Sequence, residues 1–309
     1  MKVASVLLPL PVPEAFDYEV PDALELARGD QVAVPLGPRL MRGIVSEVRE
    51  TTGSNRRLKA VAQRLTEPPV PEGALDFVEW AARWTLSPPG EMAALALKGL
   101  RNPAPRPERR VRRVGERKPA RSTPLRTAVL EALDGRALPS ADLARLAGVS
   151  SAVVKGLVDE GVLEVVEIAA VATFDPPDPD HCPATLNPDQ AAAAMAVGEA
   201  VTKSGFAAFL LDGVTGSGKT EAYLEAVART LRADPEAQIL ILLPEIALTQ
   251  AVIERLTDRF GTSPAEWHSG VSGPRRRQVW DAVVAGRCSI VVGARSALFL
   301  PFQRLRLLI

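Results

Sequence analysis

The sequence has little of what marks secreted or metal-stapled chains: 2 cysteines and 2 histidines in 309 residues. Cys182 and Cys288 lie far apart with no CxxC spacing, which argues against a disulfide framework or a zinc site and fits a reducing cytoplasm. His181 directly precedes Cys182, a poor metal geometry without further ligands. Net charge is missing too, with Lys+Arg 37 against Asp+Glu 37, so any nucleic-acid surface must be a local patch. No apolar run approaches the ~20 residues of a membrane span. The start, MKVASVLLPLPVPEAF, lacks the long apolar core and cleavage site of a signal peptide. Proline is plentiful instead, at 27 residues, and its clusters punctuate a chain long enough for two or three domains.

One stretch organises what is there. Gly213 opens GVTGSGKT, the GxxxxGK[ST] pattern of a phosphate-binding loop. The apolar run Phe206 to Leu211 predicts a buried strand before it. Glu221 to Leu231 predicts a helix after it, with Tyr223, Leu224, Val227 and Leu231 on one side. Glycines let successive N–H groups turn toward an anion, and the helix N-terminus adds a positive dipole end. In this reading Gly213, Thr215, Gly216, Ser217 and Gly218 shape the cradle. Lys219 pairs with the β/γ-phosphates and Thr220 ligates Mg²⁺, which makes these two the candidate catalytic residues and ATP with Mg²⁺ the cofactor.

The predicted fold class is multidomain α/β. Residues 1–100 read as a small β-barrel-like module, with strands at Val3–Leu8, Phe16–Val20, Asp30–Pro35, Arg42–Glu50 and Leu58–Leu65, then a trailing helix. That helix carries Leu75, Val78, Trp80, Ala81 and Trp84 in helical periodicity and breaks at Ser87-Pro88-Pro89-Gly90. Residues 101–122 read as a basic Pro/Arg linker and residues 123–172 as a winged helix. Its helices are Leu125–Leu133, Ser140–Ala147 (Ser140 as N-cap) and Ser151–Asp159, with a wing over Gly161–Ile168. The third helix offers only Lys155 as a base, which argues against sequence-specific duplex reading. Residues 173–185 read as a Pro/Asp linker. Residues 186–309 read as the N-terminal part of a parallel α/β P-loop lobe of RecA-like type, with strands Phe206–Leu211, Gln238–Leu243, Ser289–Gly293 and Leu305–Ile309.

In such a lobe the carboxyl edge of the sheet is the ligand rim. The turn at Pro244–Gln250 and the turn Gly293-Ala294-Arg295 follow strands, which offers Arg295 to a backbone phosphate. Gln190 precedes the loop and has the donor/acceptor pattern to pair with adenine. A P-loop enzyme also needs an acidic pair after a further strand. None follows Leu305–Ile309, so the lobe is expected to be cut before its Walker B acids.

Together these motifs resemble the PriA family, the primosomal replication-restart helicases of bacteria. LNPDQ (186–190), GVTGSGKTEAY (213–223), LLPEIALTQ (242–250), WHSGVS (267–272) with Arg277 and Trp280, and GARSALFLPF (293–302) resemble its helicase segments. PLPVPEAFDYEVP, GDQVAVPLG and GIVSEV resemble its 3′-DNA-binding domain. The resemblance implies that Phe16, Asp17, Tyr18, Gly37 and Lys59 form a pocket for a nascent 3′ end, the carboxylate accepting from the 3′-OH and the aromatics stacking a base. It implies DNA backbone contacts for Thr249, Arg275 to Arg277 and Arg295, and adenine reading by Gln190. For the whole protein it implies ATP-driven 3′→5′ DNA unwinding, forked and single-stranded DNA as ligands, primosome and single-stranded-DNA-binding proteins as partners, and a cytoplasmic, nucleoid-associated place with no membrane. The family's zinc insertion and second lobe have no counterpart in this sequence, so this chain is expected to bind DNA and ATP without hydrolysing ATP. A non-enzymatic fork-binding module and a winged-helix regulator with a P-loop switch stand as alternatives.

Overall fold

A computed structural model describes residues 1–51, 58–101, 108–115, 117–168, 174–203, 205–214, 216–244 and 250–309. The chain forms two compact units, Met1–Pro103 with Ala172–Ile309, and Ala104–Val171. Among the described residues no helix is long and apolar enough to cross a membrane.

In the first unit the front of the chain folds into an antiparallel sheet. Its strands are β1 (Lys2–Leu7), β2 (Phe16–Glu19), β3 (Gln31–Leu36), β4 (Arg39–Glu50) and β5 (Gln63–Arg64), in the order β2-β1-β4-β3-β5. β3 and β4 join through Gly37-Pro38, with Leu36 opposite Arg39 and Gly37 at φ 59°. A left-handed first turn residue suits a two-residue hairpin, and glycine adopts it without strain. The segment before β5 also reaches the far edge strand: Glu19 N donates to Lys59 O at 3.0 Å and Val61 N to Glu19 O at 2.9 Å. Val6, Tyr18, Val32, Val34 and Val45 fill the sheet's inner face.

Helices α1 (Glu72–Thr85) and α2 (Pro89–Ala96) follow. Leu86 closes α1 in a left-handed conformation, and Pro88-Pro89 sets the start of α2. Leu75, Val78, Ala81 and Ala82 are the buried face of α1. The aromatic positions depart from the expected periodicity: Trp80 and Trp84 are exposed and stack on each other with centroids 5.6 Å apart, and Phe77 stacks on Trp80 at 5.7 Å. The apolar stripe is narrower than the tryptophans suggest.

The back of the chain adds a parallel sheet, and its core is continuous with that of the front. Helix α6 (Pro188–Thr202), α7 (Lys219–Ala233), β9 (Gln238–Leu242), α8 (Gln250–Phe260), β10 (Ala265–Trp267), α9 (Gly273–Val284), β11 (Ile290–Gly293) and β12 (Leu305–Leu308) alternate; the labels β6–β8 and α3–α5 belong to the second unit below. The strand order is β10-β11-β9-β12, all parallel. One cluster joins Leu75, Val78, Ala93 and Leu97 of the front to Val279, Trp280 and Val291 of the back. Trp280 is fully buried, donates Nε1–H to Ala96 O at 2.8 Å, and lies against Gly99.

One expectation for the back is corrected, and two features go beyond what was expected. Phe206–Leu211 is no strand: Phe206 and Leu210 are 96% and 92% exposed. The run borders an open cavity of about 1110 Å³ whose other walls are α6, α7 and β12, so among the described residues it has no strand to pair with, and apolarity without a ladder partner makes no strand. The three-residue strand β10 lay below what periodicity can detect. The described part of the Pro/Asp linker lies as a strap on the lobe: Asp178 N donates to Phe260 O at 2.9 Å, and Arg259 Nη1 and Arg232 Nη2 donate to Pro179 O at 2.8 and 3.2 Å. Glu225 accepts from both arginines, which gives the buried Arg259 its counter-charge.

The second unit consists of β6 (Glu108–Arg113), α3 (Pro124–Leu133), β7 (Leu138–Pro139), α4 (Ser140–Leu146), α5 (Ser151–Asp159) and β8 (Leu163–Ile168), with sheet order β7-β6-β8. Val111, Val129, Leu133, Leu143, Val154, Leu157 and Leu163 form its core. The basic "linker" thus supplies a strand. Arg112 and Arg109 face Glu164 and Glu167 of β8 at 2.6 and 3.7 Å, cross-strand pairs that offset the charge an isolated reading takes as disordering. Thr123 caps α3 by accepting from Arg126 N, whereas Ser140 is the first residue of α4 and makes no cap bond.

Candidate nucleotide and DNA-end sites

The phosphate-loop residues gather at the start of α7. Gly218 is its N-cap at φ 79° and Gly216 stands at φ 81°, left-handed conformations that turn backbone N–H groups to one side. A Cβ on Gly213 would lie 2.7 Å from Ser217 Oγ, and one on Gly218 would lie 2.2 Å from Gln190 Nε2. Gly218 needs glycine for its left-handed backbone, whereas at Gly213 only the Ser217 hydroxyl would have to move. Lys219 and Thr220 open the helix, and the Lys219 ammonium donates to Gly213 O and Val214 O at 2.5 and 2.9 Å. The donor set (two loop glycines with positive φ, an ammonium, a hydroxyl and a helix N-terminus) fits a polyphosphate with its Mg²⁺. Thr215 lies outside the described residues.

Gln190 is brought to this loop, with both ends of its amide engaged. Nε2 donates to Ser217 O at 2.9 Å, and Oε1 accepts from Asn187 N at 2.9 Å while Asn187 Oδ1 accepts from Gln190 N. This is a capping box that starts α6 and braces the loop. Adenine pairing requires the amide to leave both partners.

At the carboxyl edge of the parallel sheet, Arg295 is exposed at the first position of a 3-10 turn, Arg295–Phe299. Thr249 lies outside the described residues. Arg275 is exposed and lies 4.7 Å over the Phe174 ring. Arg277 differs from the expectation of a DNA contact. It is 7% exposed, bonds Asp281 at 2.9 Å and faces Glu67 of the front at 3.6 Å. Glu67 also accepts from Arg42 at 2.7 Å. Burial pushes the Glu67 carboxyl up, but the Arg42 hydrogen bond and charge, with Arg277 behind, hold it below the usual value. Trp280, from the same segment, is core.

The front-sheet candidates divide by strand alternation. Tyr18 is buried, with its hydroxyl donating to Pro35 O at 3.3 Å, and burial raises its pKa. Its ring has no face free for a base, so base stacking by Tyr18 is replaced by a core role. Phe16 is half-buried on the same core. Asp17 points the other way, to solvent, where it accepts from Ser5 and Arg49. Lys59 is exposed and tied to β2 by its carbonyl, and Gly37 is a hairpin tip two residues beyond Pro35. The Lys59 backbone thus pairs with Glu19, two residues along β2 from Asp17, while Gly37 follows the strand that Tyr18 reaches across the core.

Comparison with known proteins covers both halves of the first unit. Residues 5–98 match the family of the PriA 3′DNA-binding domain (3′BD), and residues 187–309 match the DEAD/DEAH box helicase family. The chain is 32% identical over 320 residues to the replication restart protein PriA of Haemophilus influenzae, with 99% of this chain and 43% of that protein aligned. To the protein of the same name from Chlamydia pneumoniae it is 29% identical, with 99% and 43% aligned. To that from Bacillus subtilis it is 36% identical over 178 residues, 57% of this chain and 22% of that protein. The chain thus spans less than half the length of these relatives.

Proposed function

Since the chain belongs to the PriA family of replication restart proteins and aligns with their N-terminal part, we propose that it recognises forked DNA carrying a nascent 3′ end. In this reading the five-strand sheet is a partly closed barrel that holds the end. Asp17 accepts from the terminal 3′-OH, Lys59 takes a phosphate and Phe16 offers a ring edge. The second unit is a winged helix that serves as spacer or protein contact, since α5 offers only Lys155 as a base. The observation that carries the reading is the solvent-facing carboxylate of Asp17 inside a segment that matches a 3′DNA-binding family.

The lobe binds ATP with Mg²⁺. Lys219 leaves its loop carbonyls for the β/γ-phosphates, Thr220 holds the metal, and Gln190 gives up its cap to read adenine. Bound ATP supplies the phosphoanhydride whose hydrolysis drives unwinding in the direction 3′→5′, which we assign to the whole protein together with delivery of the fork to primosome and single-stranded-DNA-binding partners. To residues 1–309 by themselves we assign binding without turnover.

Fluorescence anisotropy at fixed salt tests the DNA reading, on forks ending in a 3′-OH or a 3′-phosphate. Tighter binding to the free hydroxyl, lost in Asp17→Ala, is the expected result. Equal binding to both ends by the wild type refutes end reading. DNA-stimulated phosphate release from the 309-residue chain, lost in Lys219→Ala, would refute the assignment of no turnover.

A further inference from the structure

Asp17 does not stand alone on its face of the front sheet. Ser5 Oγ donates to Asp17 Oδ1 at 2.7 Å, Arg49 Nη2 donates to Asp17 Oδ2 at 2.6 Å, and Arg49 Nη1 donates to Ser5 Oγ. The triangle is closed. Strand register builds it: Asp17 lies opposite Ser5 in the β1–β2 pair, and Ser5 lies opposite Glu47 in the β1–β4 pair, with Arg49 two residues further along the same face. A bulge follows immediately, between Ser5 and Val6, and the Ser46 hydroxyl bonds back to Ser5 O at 3.1 Å. Bulges re-aim the side chains beside them. Glu47 adds a second carboxylate 3.5 Å from Arg49.

This arrangement is more than a folding contact. Asp17 and Arg49 have side chains 40% and 39% exposed, and a pair so exposed contributes little to stability. What it does fix is direction. A carboxylate has about four acceptor sites, and Ser5 and Arg49 take one on each oxygen, which leaves both oxygens able to accept again from solvent. An unpaired Asp near a DNA terminus would repel the last phosphate; a guanidinium beside it offsets that charge and carries further N–H donors. A terminal nucleotide presents this combination of one hydroxyl donor and one neighbouring phosphodiester.

We propose that Ser5 and Arg49 complete the DNA-end site. Both hold the Asp17 carboxylate toward the terminal 3′-OH, and Arg49 also takes the last internucleotide phosphate. The proposal rests on the reading of Asp17 as the end reader. It makes Ser5 a positioning residue and Arg49 both a positioning and a binding residue.

The test measures anisotropy on the same two forks across a salt series, for wild type, Asp17→Ala, Ser5→Ala, Arg49→Ala and Arg49→Lys. Arg49→Ala is expected to weaken binding to the 3′-OH fork about tenfold or more and to bring the hydroxyl-to-phosphate ratio toward one. It is also expected to flatten the salt slope by about 0.7, the share of one single-strand phosphate. Arg49→Lys restores the slope but only part of the ratio, because an ammonium lacks the planar fork. Ser5→Ala lowers the ratio at an unchanged slope. A merely structural role for Arg49 would move neither slope nor ratio specifically, and the lysine variant separates that from misfolding. Wild-type ratio and slope in Arg49→Ala, with the ratio lost in Asp17→Ala, overturn the role of Arg49 and leave end reading intact. An unchanged ratio in Asp17→Ala takes down both.

Discussion

Trp280 ties the front of the first unit to its parallel-sheet lobe, and its truncation should unfold both at once. Its side chain is fully buried among residues of both parts, and its Nε1–H is the donor to Ala96 O. Trp280→Ala removes a large buried ring, about 3–5 kcal/mol, and leaves a buried carbonyl without its partner, about 1–3 kcal/mol more. Allowing for partial collapse of the cavity, ~4–6 kcal/mol is expected, which for a unit of about 240 residues lowers Tm by roughly 10–20 °C. Gly99→Ala approaches the same seat from the front: its Cβ would lie 2.4 Å from Trp280 Cβ, an overpacking that costs about 1–3 kcal/mol. Calorimetry with hydrogen exchange read by mass spectrometry is the assay. Amides of β1–β4 and of β9–β11 should lose protection together in both variants. If the β1–β4 amides keep wild-type protection while β9–β11 open, the shared core is not one cooperative unit and the argument fails.

Thiol labelling gives a second check: Cys182 is exposed, whereas burial pushes Cys288 up to about 12, so one thiol per native chain should react quickly at pH 8, and two fast thiols would contradict the placement of Cys288. Acid should weaken the first unit through Glu67. Its folded pKa lies below the ordinary 4.5, so its contribution is present above that value and is lost as pH falls through the lowered folded pKa. Glu67→Gln should therefore flatten the acid limb of a stability profile below about pH 4.5, and an identical limb would refute the network. Arg259→Leu should loosen the Pro179 strap and raise proteolytic nicking at residues 175–181, since Arg259 holds both Pro179 O and Glu225; unchanged nicking would mean that the Arg232 and Asp178 contacts suffice to hold it.

Much of this was legible where glycine and proline punctuate: the first four strands, α1 and α2, and the helix behind the phosphate loop begin and end at such signals. The loop itself was legible because its chemistry needs glycine at fixed positions. Other features depend on partners that a linear reading does not contain. Phe206–Leu211 has a strand's composition and no ladder neighbour. Glu108–Arg113 has a linker's composition, yet Glu164 and Glu167 across the sheet make it a strand. Trp80 and Trp84 have core chemistry on an exposed face. Arg277 has a DNA-contact chemistry, but Glu67, 210 residues earlier in the chain, keeps it buried. The Ser5–Arg49 link to Asp17 is of the same kind, because register across three strands, rather than any local motif, brings the residues together.

The shared core also sets a timetable for synthesis. Leu75, Val78, Ala93 and Leu97 leave the ribosome well before Val279 and Trp280, which cover them. The delay is about 180 residues, or roughly 10–35 s at ~5–20 residues per second. The intervening second unit, whose core is its own, can fold during that wait. The front cannot finish. Its helices must hold an apolar face open until α9 and β11 arrive, so the newborn protein has a window for aggregation or chaperone capture that the finished fold conceals.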